Sequence, residues 1–153
     1  MSKTTTDKAK IQELLDRGVE RIYPSREFLE KALLADKKLI IYLGIDPTGS
    51  TLHLGHAINL EKLRQFQELG HKVILLIGDF TGMVGDPTDK KATRQPLTRQ
   101  QVLTNAHDYK KQAGKILNFS GANKVIVKFN SAWQNKLNFS DVMELASHFS
   151  VQR

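Results

Sequence analysis

Hydrophobic residues follow two different spacings along the chain, and the spacing separates predicted helices from predicted strands. In the first third they recur with a helical period, at Ile11, Leu14, Leu15 and Val19 and again at Phe28, Leu29, Ala32 and Leu33. Ser25 precedes the second group and is a favourable residue for a helix N-cap. The pattern therefore predicts two helices ahead of the first strand.

Three short apolar runs, at 38–44, 73–77 and 124–129, have the length and composition of strands. A helix is predicted between the first two, over 54–69, with Gly70 as its left-handed stop. Strands that alternate with helices through short joints form βαβ units. The expected fold class is therefore α/β, with a parallel sheet and flanking helices.

Two further helices are predicted in the second half of the chain. Thr98 and Gln101 have the spacing of a capping box, which opens a helix that reaches about Leu117. The stretch 130–138 is predicted to be a loop, and Ser140 is predicted to cap a last helix.

Composition narrows the class of protein. With 40% hydrophobic and 25% charged residues, 153 residues suit one globular domain with one core. The longest apolar runs are far shorter than the roughly 20 residues that a bilayer requires, so we expect a soluble, cytoplasmic protein. The chain contains no cysteine, which excludes disulfides, thiolate metal sites and a cysteine nucleophile.

The formal net charge of +7 favours polyanionic partners, such as nucleic acid or the phosphates of a nucleotide. Many basic domains bind neither, so charge alone is weak support for such a partner. The motifs therefore have to identify the ligand.

The first informative segment, residues 42–56, lies where the first strand is followed by a helix. Ligands of open parallel sheets bind at the carboxyl ends of strands, and a helix N-terminus at that place offers unpaired N–H groups to phosphate. Gly55 permits close approach of a flat base or a ribose, while His53 and His56 lie one turn apart. The segment therefore predicts a nucleotide site.

A pair of histidines three residues apart has other interpretations. Such a pair can ligate zinc, or it can lie on a helix surface without any ligand. The absence of cysteine and of a nearby third ligand counts against zinc.

The second informative segment, residues 78–94, follows the second strand and so reaches the same edge of the sheet. Its glycines allow tight backbone turns, and Asp86 can pair with the ammonium group of a substrate. Lys90, Lys91 and Arg94 can reach phosphate if the loop closes. The alternative is a solvated loop with ordinary surface cations.

Together the two segments resemble the tyrosyl-tRNA synthetase family. Residues 42–56 are similar to the family pattern Y-x-G-x-D-P-T-x-x-x-L-H-x-G-H, which ends in the class I H-I-G-H signature. Residues 81–87 are similar to its T-G-x-x-G-D-P element. Tryptophanyl-tRNA synthetases usually have G-x-x-P-T-G after this strand, so Tyr42 and Asp46 favour tyrosine.

The resemblance implies a role for each matching residue. Tyr42 would contact the phenol of the substrate tyrosine, and Asp86 its amino group. Lys90 and Arg94 match the mobile-loop cations that act on the departing pyrophosphate. Asn130 and Trp133 match an N-x-x-W element at the rim, with a supporting role. The residues assigned to ATP are Gly44, Asp46, Thr48, His53, Gly55 and His56.

The resemblance also implies a domain organisation. Residues 1–36 would form an N-terminal helical segment, and residues 37–153 the first part of a Rossmann-like catalytic domain. This sequence has no K-M-S-K-S-like signature, and in the family the second half of the nucleotide fold and an anticodon-binding region follow later. We therefore expect a fragment with little activity. Asn59 stands where much of the family has Thr, which leaves its role open.

The implied reaction is tyrosine activation. The tyrosine carboxylate attacks the α-phosphate of ATP, which is bound with Mg²⁺, to give tyrosyl-adenylate and pyrophosphate, and the tyrosyl group is then transferred to tRNA(Tyr). The family implies a homodimer when the chain is full length. Two alternatives remain: another nucleotidyl transferase of the same superfamily, and a non-catalytic half-domain that binds nucleotide.

Overall fold

Three parallel strands form the centre of the molecule, in the order β1-β2-β3. The computed structural model describes residues 4–35, 37–84 and 96–150. The strands are β1 Ile40–Ile45, β2 Lys72–Ile77 and β3 Ile126–Phe129. The helices of the described part are α1 Lys8–Asp16, α2 Arg26–Leu34, α3 Leu54–Glu68, α4 Thr81–Val84, α5 Arg99–Ala113, α6 Ser131–Gln134 and α7 Phe139–Ser147.

Side chains before the first turns determine where the helices begin. The Asp7 carboxylate accepts the backbone N–H groups of Ala9 and Lys10, at 2.9 and 3.3 Å, and so starts α1. The Ser25 hydroxyl accepts the N–H of Phe28 at 3.2 Å, which confirms its predicted role as the cap of α2. Val19 lies outside α1, because the chain leaves the helix before Gly18, whose φ is 67°.

The predicted βαβ units are confirmed. Tyr42 of β1 is level with Ile74 of β2, and Ile74 is level with Ile126 of β3, all in parallel register. Right-handed crossovers that step in one direction across a sheet place their helices on one face of it. The result is a Rossmann-like α/β arrangement in which the carboxyl ends of the strands share one edge.

The core lies on one face of the sheet. Val73, Leu75 and Ile77 of β2 point into it and are buried together with apolar residues of the N-terminal helices and of α3. The opposite face is largely uncovered, and Ile40 and Tyr42 are 61% and 69% exposed there. Helices α1 and α2 therefore belong to the same packed core as the sheet.

Several element boundaries differ from the predictions. The last helix begins after Asn138, not after Ser140, because Asn138 and Asp141 form a reciprocal capping box with bonds of 3.1 and 2.9 Å. A short helix, α6, occupies part of the predicted loop at 130–138. Helix α5 begins at the predicted capping box but ends at Ala113, before Gly114.

Within the described ranges, no helix combines the length and the apolar character that crossing a membrane requires.

Candidate nucleotide-binding site

A cleft of about 380 Å³ opens at the carboxyl end of β1, beside the first turn of α3. The residues that line it come from β1, from the turn after it and from α3: Leu43, Gly44, Ile45, Asp46, His56 and Asn59. The polar groups of Asp46, His56 and Asn59 therefore face the same space as the backbone of Gly44. This is the position at which open parallel sheets bind their ligands.

A directed series of hydrogen bonds holds Asp46. The Asn130 amide donates to the Thr81 hydroxyl at 3.0 Å, and this hydroxyl donates to the Asp46 carboxylate at 2.7 Å. The bonds join residues from the ends of all three strands, since Thr81 follows β2 and Asn130 follows β3. One carboxylate oxygen of Asp46 is thereby fixed in direction.

The Asp46 carboxylate and the Thr81 hydroxyl lie so close to residue 78 that only glycine fits there. A Cβ atom at this position would lie 1.8 Å from the Asp46 carboxylate and 2.4 Å from the Thr81 hydroxyl. Any side chain here would displace both groups, because real Cβ contacts do not approach this distance. The glycine that ends β2 therefore makes room for the Asp46–Thr81 hydrogen bond.

The two histidines form one unit at the start of α3. His53 is the N-cap residue, and its backbone N–H donates to Nδ1 of His56 at 3.2 Å. The two ring centroids are 3.8 Å apart with an interplanar angle of 34°. Since Nδ1 of His56 accepts this hydrogen bond, the neutral ring carries its one proton on Nε2 and can donate a hydrogen bond from it to a ligand oxygen.

Electrostatics favour this neutral state. Burial first, and then the neighbouring His53, lower the pKa of His56 below its ordinary value. The ring is therefore a hydrogen-bond donor at neutral pH and not a full positive charge. Within the described part of the chain no group of three or more metal-ligating side chains occurs.

Gly55 is also constrained by its surroundings. A Cβ atom built on it would come within 3.1 Å of the His53 ring, which is closer than most real contacts. The glycine thus allows the His53 imidazole to fold back over the helix start. Because Gly55 has no side chain, the His53 ring has room to pack here. Gly55 is also exposed, so its backbone is accessible to a ligand.

The structure brings together only part of the predicted site. Gly44, Asp46 and His56 line the cleft, and so does Asn59, whose role was left open. Tyr42 lies two residues before Gly44, on the uncovered face of the sheet. The Thr48 backbone N–H donates to the Asp46 carbonyl at 2.8 Å and closes the turn after β1.

Neither residue of the predicted N-x-x-W element, Asn130 or Trp133, is among the residues that line this cleft. Trp133 is 44% exposed on α6, which fits a position outside the cleft, while its neighbour Asn130 is buried in the hydrogen-bond series. Asp86, Lys90 and Arg94 lie outside the described residues.

Sequence reasoning missed Thr81 and Asp79 as parts of the site. Thr81 appeared only as a letter of a motif, although its hydroxyl holds Asp46. Asp79 directly follows Gly78, and its buried carboxylate accepts the N–H of Ser131 at 3.0 Å. A polar residue straight after a buried parallel strand is the signal that could have identified both.

A second cavity, of about 360 Å³, lies beside α3 away from these residues. It is mostly apolar and contains none of the predicted site residues. Its lining side chains include Arg17, Leu54, Ile58 and Lys62. The polar cleft is the better candidate, because it contains convergent hydrogen-bonding groups at the strand ends.

A family model described as tRNA synthetases class I (W and Y) matches residues 34–153. Tyrosine–tRNA ligase 2 of Clostridium acetobutylicum is 49% identical over 143 residues, which is 92% of this chain and 35% of that protein. Tyrosine–tRNA ligase of Haemophilus ducreyi is 53% identical over 139 residues, 91% of this chain and 34% of that protein. The chain spans about a third of the length of these relatives.

Solved structures agree on the fold. A C-terminally truncated mitochondrial tyrosyl-tRNA synthetase of Aspergillus nidulans matches with a TM-score of 0.75 at 24% identity, over 94% of this chain and 43% of that one. A C-terminally truncated mitochondrial tyrosyl-tRNA synthetase of Coccidioides posadasii matches with a TM-score of 0.67 at 27% identity, over 91% of this chain and 40% of that one.

Proposed function

The chain belongs to the class I tRNA synthetase family for tryptophan and tyrosine, and from this we propose that it carries the ATP- and tyrosine-binding part of a tyrosine–tRNA ligase. The observation that carries the proposal is the cleft where Gly44, Asp46 and His56 meet at the end of β1. Relatives at about half identity are named for tyrosine, which supports tyrosine over tryptophan.

We propose that the ATP-binding residues are those that surround the turn from β1 to α3. The N-terminus of this 15-residue helix presents free N–H groups and the positive end of its dipole to phosphate. The Nε2–H of His56 donates to the same phosphates, and the exposed backbone at Gly55 leaves space for the nucleotide. The residues proposed to contact ATP are Gly44, Asp46, Thr48, His53, Gly55 and His56.

Tyr42 is proposed to contact the phenol of the tyrosine substrate. It lies on the uncovered sheet face, two residues before Gly44, so a ligand there would adjoin the cleft. Asp86 is proposed to bind the amino group, and Lys90 and Arg94 the leaving pyrophosphate. These three roles come from the motifs, because the residues lie outside the described part.

The proposed chemistry needs no covalent intermediate with the protein. The tyrosine carboxylate attacks the α-phosphate in line, the bond to the β-phosphate oxygen breaks, and pyrophosphate leaves. The protein positions both substrates and donates hydrogen bonds to the oxygens on which charge increases. Mg²⁺ would enter as part of the ATP substrate complex.

Two further functions are proposed for a whole protein that would extend beyond this 153-residue chain. They are transfer of the tyrosyl group to tRNA(Tyr) and assembly into a homodimer. We also propose residues 1–36 as a helical segment that precedes the catalytic domain of 37–153. The cytoplasmic location stays a prediction from the sequence.

Ligand titration followed by NMR tests the proposal on the 153-residue chain. ATP should shift the amide signals of Gly55 and His56, and tyrosine those of Tyr42 and Gly44. Tryptophan serves as the matched control, and it should bind at least about tenfold more weakly than tyrosine. Equal binding of the two amino acids, or the absence of any ATP-dependent shift, would contradict the proposal.

Kinetics test the role of the histidines wherever tyrosine-dependent ATP–pyrophosphate exchange can be measured. His53→Ala or His56→Ala should lower the rate of adenylate formation about 10²-fold and leave tyrosine affinity nearly unchanged, because the hydrogen bonds strengthen as charge develops. If tyrosine affinity fell by as much as the rate of adenylate formation, the histidines would not be assigned to the phosphates. Exchange that depends on another acid would favour a different nucleotidyl transferase.

A further inference from the structure

Asp79 is a buried carboxylate that the proposed reaction does not use. The residue is 1% exposed, follows Gly78 directly and lies outside the lining of the cleft. One carboxylate oxygen accepts the N–H of Ser131 at 3.0 Å, and the other lies 3.6 Å from the Arg99 guanidinium. Burial of a charge is unfavourable unless partners compensate it, so this position requires an explanation.

The Ser131 hydrogen bond is one half of a reciprocal connection between the ends of β2 and β3. In the other half, the side-chain oxygen of Asn130 accepts the N–H of Phe80 at 2.9 Å. Each strand end thus provides one side chain to the backbone of the other. We call these two crossing hydrogen bonds, Asp79 to Ser131 and Phe80 to Asn130, the strand-end clasp.

The strand-end clasp determines the position of the Asn130 amide. The nitrogen of this amide donates to the Thr81 hydroxyl at 3.0 Å, and the hydroxyl donates to Asp46 at 2.7 Å. Two bonds hold the backbone here: the Asn130 N–H donates to the Ile77 carbonyl at 3.0 Å, and Asp79 holds the very next residue, Ser131. Through the peptide bond between Ser131 and Asn130, Asp79 is therefore connected to the hydrogen bonds that reach the cleft.

We propose that Asp79 is a positioning residue, which through Ser131 and the strand-end clasp fixes the Thr81–Asp46 hydrogen bond and so orients Asp46 for the nucleotide. The nucleotide part of this inference rests on the proposed function, whereas the clasp itself does not.

The two oxygens of Asp79 have separable functions. The Ser131 N–H needs only an acceptor, and the oxygen of an asparagine side chain would provide one. The Arg99 guanidinium is half exposed at the first residue of α5, and it compensates the charge. Asp79→Asn therefore keeps the clasp and weakens the ion pair, while Asp79→Ala removes both.

Amide hydrogen exchange tests the clasp without any ligand. In Asp79→Ala, the amides of Ser131 and Phe80 should both exchange at least about tenfold faster, because loss of the first hydrogen bond frees the second. The Gly78 amide, which donates to the Ile45 carbonyl at 2.9 Å, is the internal control and should keep its rate. Asp79→Asn should behave like the wild type.

Other exchange results would overturn the inference. Faster exchange at Ser131 with an unchanged Phe80 would show that Asp79 caps α6 and positions nothing else. If Asp79→Asn and Asp79→Ala accelerated exchange of the two amides equally, loss of the Ser131 hydrogen bond would not be the cause of the faster exchange. If Asp79→Ala does not fold, Asp79→Ser provides a polar side chain too short to reach Ser131, and the same two amides are compared.

ATP affinity then tests the path to the cleft through a double-mutant cycle. Thr81→Val removes the hydroxyl that holds Asp46, and it should weaken ATP binding about tenfold, as should Asp79→Ala. Because both act through the same hydrogen bond, the double variant should lose no more than Thr81→Val alone. If the double variant instead lost about a hundredfold in ATP affinity, the product of the two single losses, the two residues would act independently and the inference would be overturned. A wild type that does not bind ATP would refute the proposed function, and hydrogen exchange would still decide the clasp.

Discussion

The two edges of the sheet use the same kinds of polar side chain in opposite ways. At the carboxyl-end edge, Asn130, Thr81 and Asp46 bond mainly to one another and lie beside a cleft. At the amino-end edge, the Gln67 side chain bonds to backbone groups, and Asn123 bonds to backbone carbonyls and to the Lys38 ammonium group.

At the amino-end edge every polar atom of the Gln67 amide meets the backbone. Its nitrogen donates to the carbonyls of Asn118 and Asn123, at 2.7 and 2.9 Å, and its oxygen accepts the N–H of Asn118 at 3.1 Å. Asn123 in turn donates to the Gln67 carbonyl at 2.8 Å. The backbone partners are fixed by the fold, so this edge is a closed latch between α3 and the chain before β3.

The difference indicates what each edge can do. Side-chain amides whose donors and acceptors are bonded to the backbone, as in Gln67, stabilise the fold. The carboxyl-end edge is held through side chains, and Asp46 there is exposed, with only one of its carboxylate oxygens bonded within the described residues. A single substitution at the amino-end edge should therefore lower the free energy of unfolding, whereas one at the carboxyl-end edge should lower ATP affinity.

Gln67→Leu should give the largest effect of the changes considered, and the effect should be on stability. The variant keeps the side-chain size but removes three hydrogen bonds, and the Asn118 N–H loses its acceptor, at about 1–3 kcal/mol if it stays buried. We expect the free energy of unfolding to fall by about 3 kcal/mol in denaturant titration.

Gln100→Leu is the matched control, because this exposed residue of α5 has a side chain in solvent. ATP affinity of folded Gln67→Leu should equal that of the wild type. A fall in ATP affinity as large as the stability loss would contradict the separation of the two edges.

Gly78→Ala should have the opposite profile, with a large effect on binding. The added Cβ would overlap the Asp46 carboxylate and the Thr81 hydroxyl, so their hydrogen bond must break. We expect ATP affinity, measured by calorimetry, to fall about a hundredfold.

Gly49→Ala is the control for Gly78→Ala, since a Cβ at Gly49 meets nothing within 4 Å. Unchanged ATP binding by a folded Gly78→Ala variant would mean that Asp46 has no part in the site.

The sequence predicted the fold well because the fold depends on local patterns. The strands and the helices between them follow from apolar spacing, and caps such as Thr98 and Ser25 are local hydrogen bonds. The last helix was placed wrongly because Asn138 and Ser140 are both good caps, and only the reciprocal bond with Asp141 distinguishes them.

The site was predictable only in part, for a physical reason. The strand-end rule and the motifs placed Gly44, Asp46 and His56 at one edge, and the cleft contains all three. The hydrogen bonds that hold Asp46 come from Thr81 and Asn130, which are 35 and 84 residues away in the chain. No local pattern encodes such a partnership, so it appears only in three dimensions.

The amino-end edge should contribute to the pH dependence of stability. Burial first, and then the charge of Lys38, lower the pKa of His71 below its unfolded value of about 6.5. Nδ1 accepts the N–H of Leu39 at 3.4 Å, and Nε2 is buried without a hydrogen-bond partner in the described part. Protonation is therefore unfavourable in the folded state.

The sign of the effect follows from this shift. Above about pH 6.5 the contribution of His71 to stability is complete, and it is lost as the pH falls from there towards the lowered pKa of the folded state. We expect the free energy of unfolding to decrease between pH 7.5 and 5, by less than Gln67→Leu costs. His71→Asn should reduce this dependence. An unchanged slope in His71→Asn would assign the pH dependence to other groups.

The smallest expected effect concerns the histidine pair at the carboxyl-end edge. His53→Ala removes the neighbouring imidazole, which is the second cause of the lowered pKa of His56, while the first cause, burial, largely remains. The pKa of His56 should therefore rise only in part and stay below the ordinary histidine value of about 6.5. Titration of the ring signals by NMR measures it in the wild type and in the variant. The backbone N–H of residue 53 remains in the variant, so His56 should keep its Nε2–H tautomer. A full return of the pKa to the ordinary value of about 6.5 would show that the neighbouring ring, not burial, keeps His56 neutral beside the cleft.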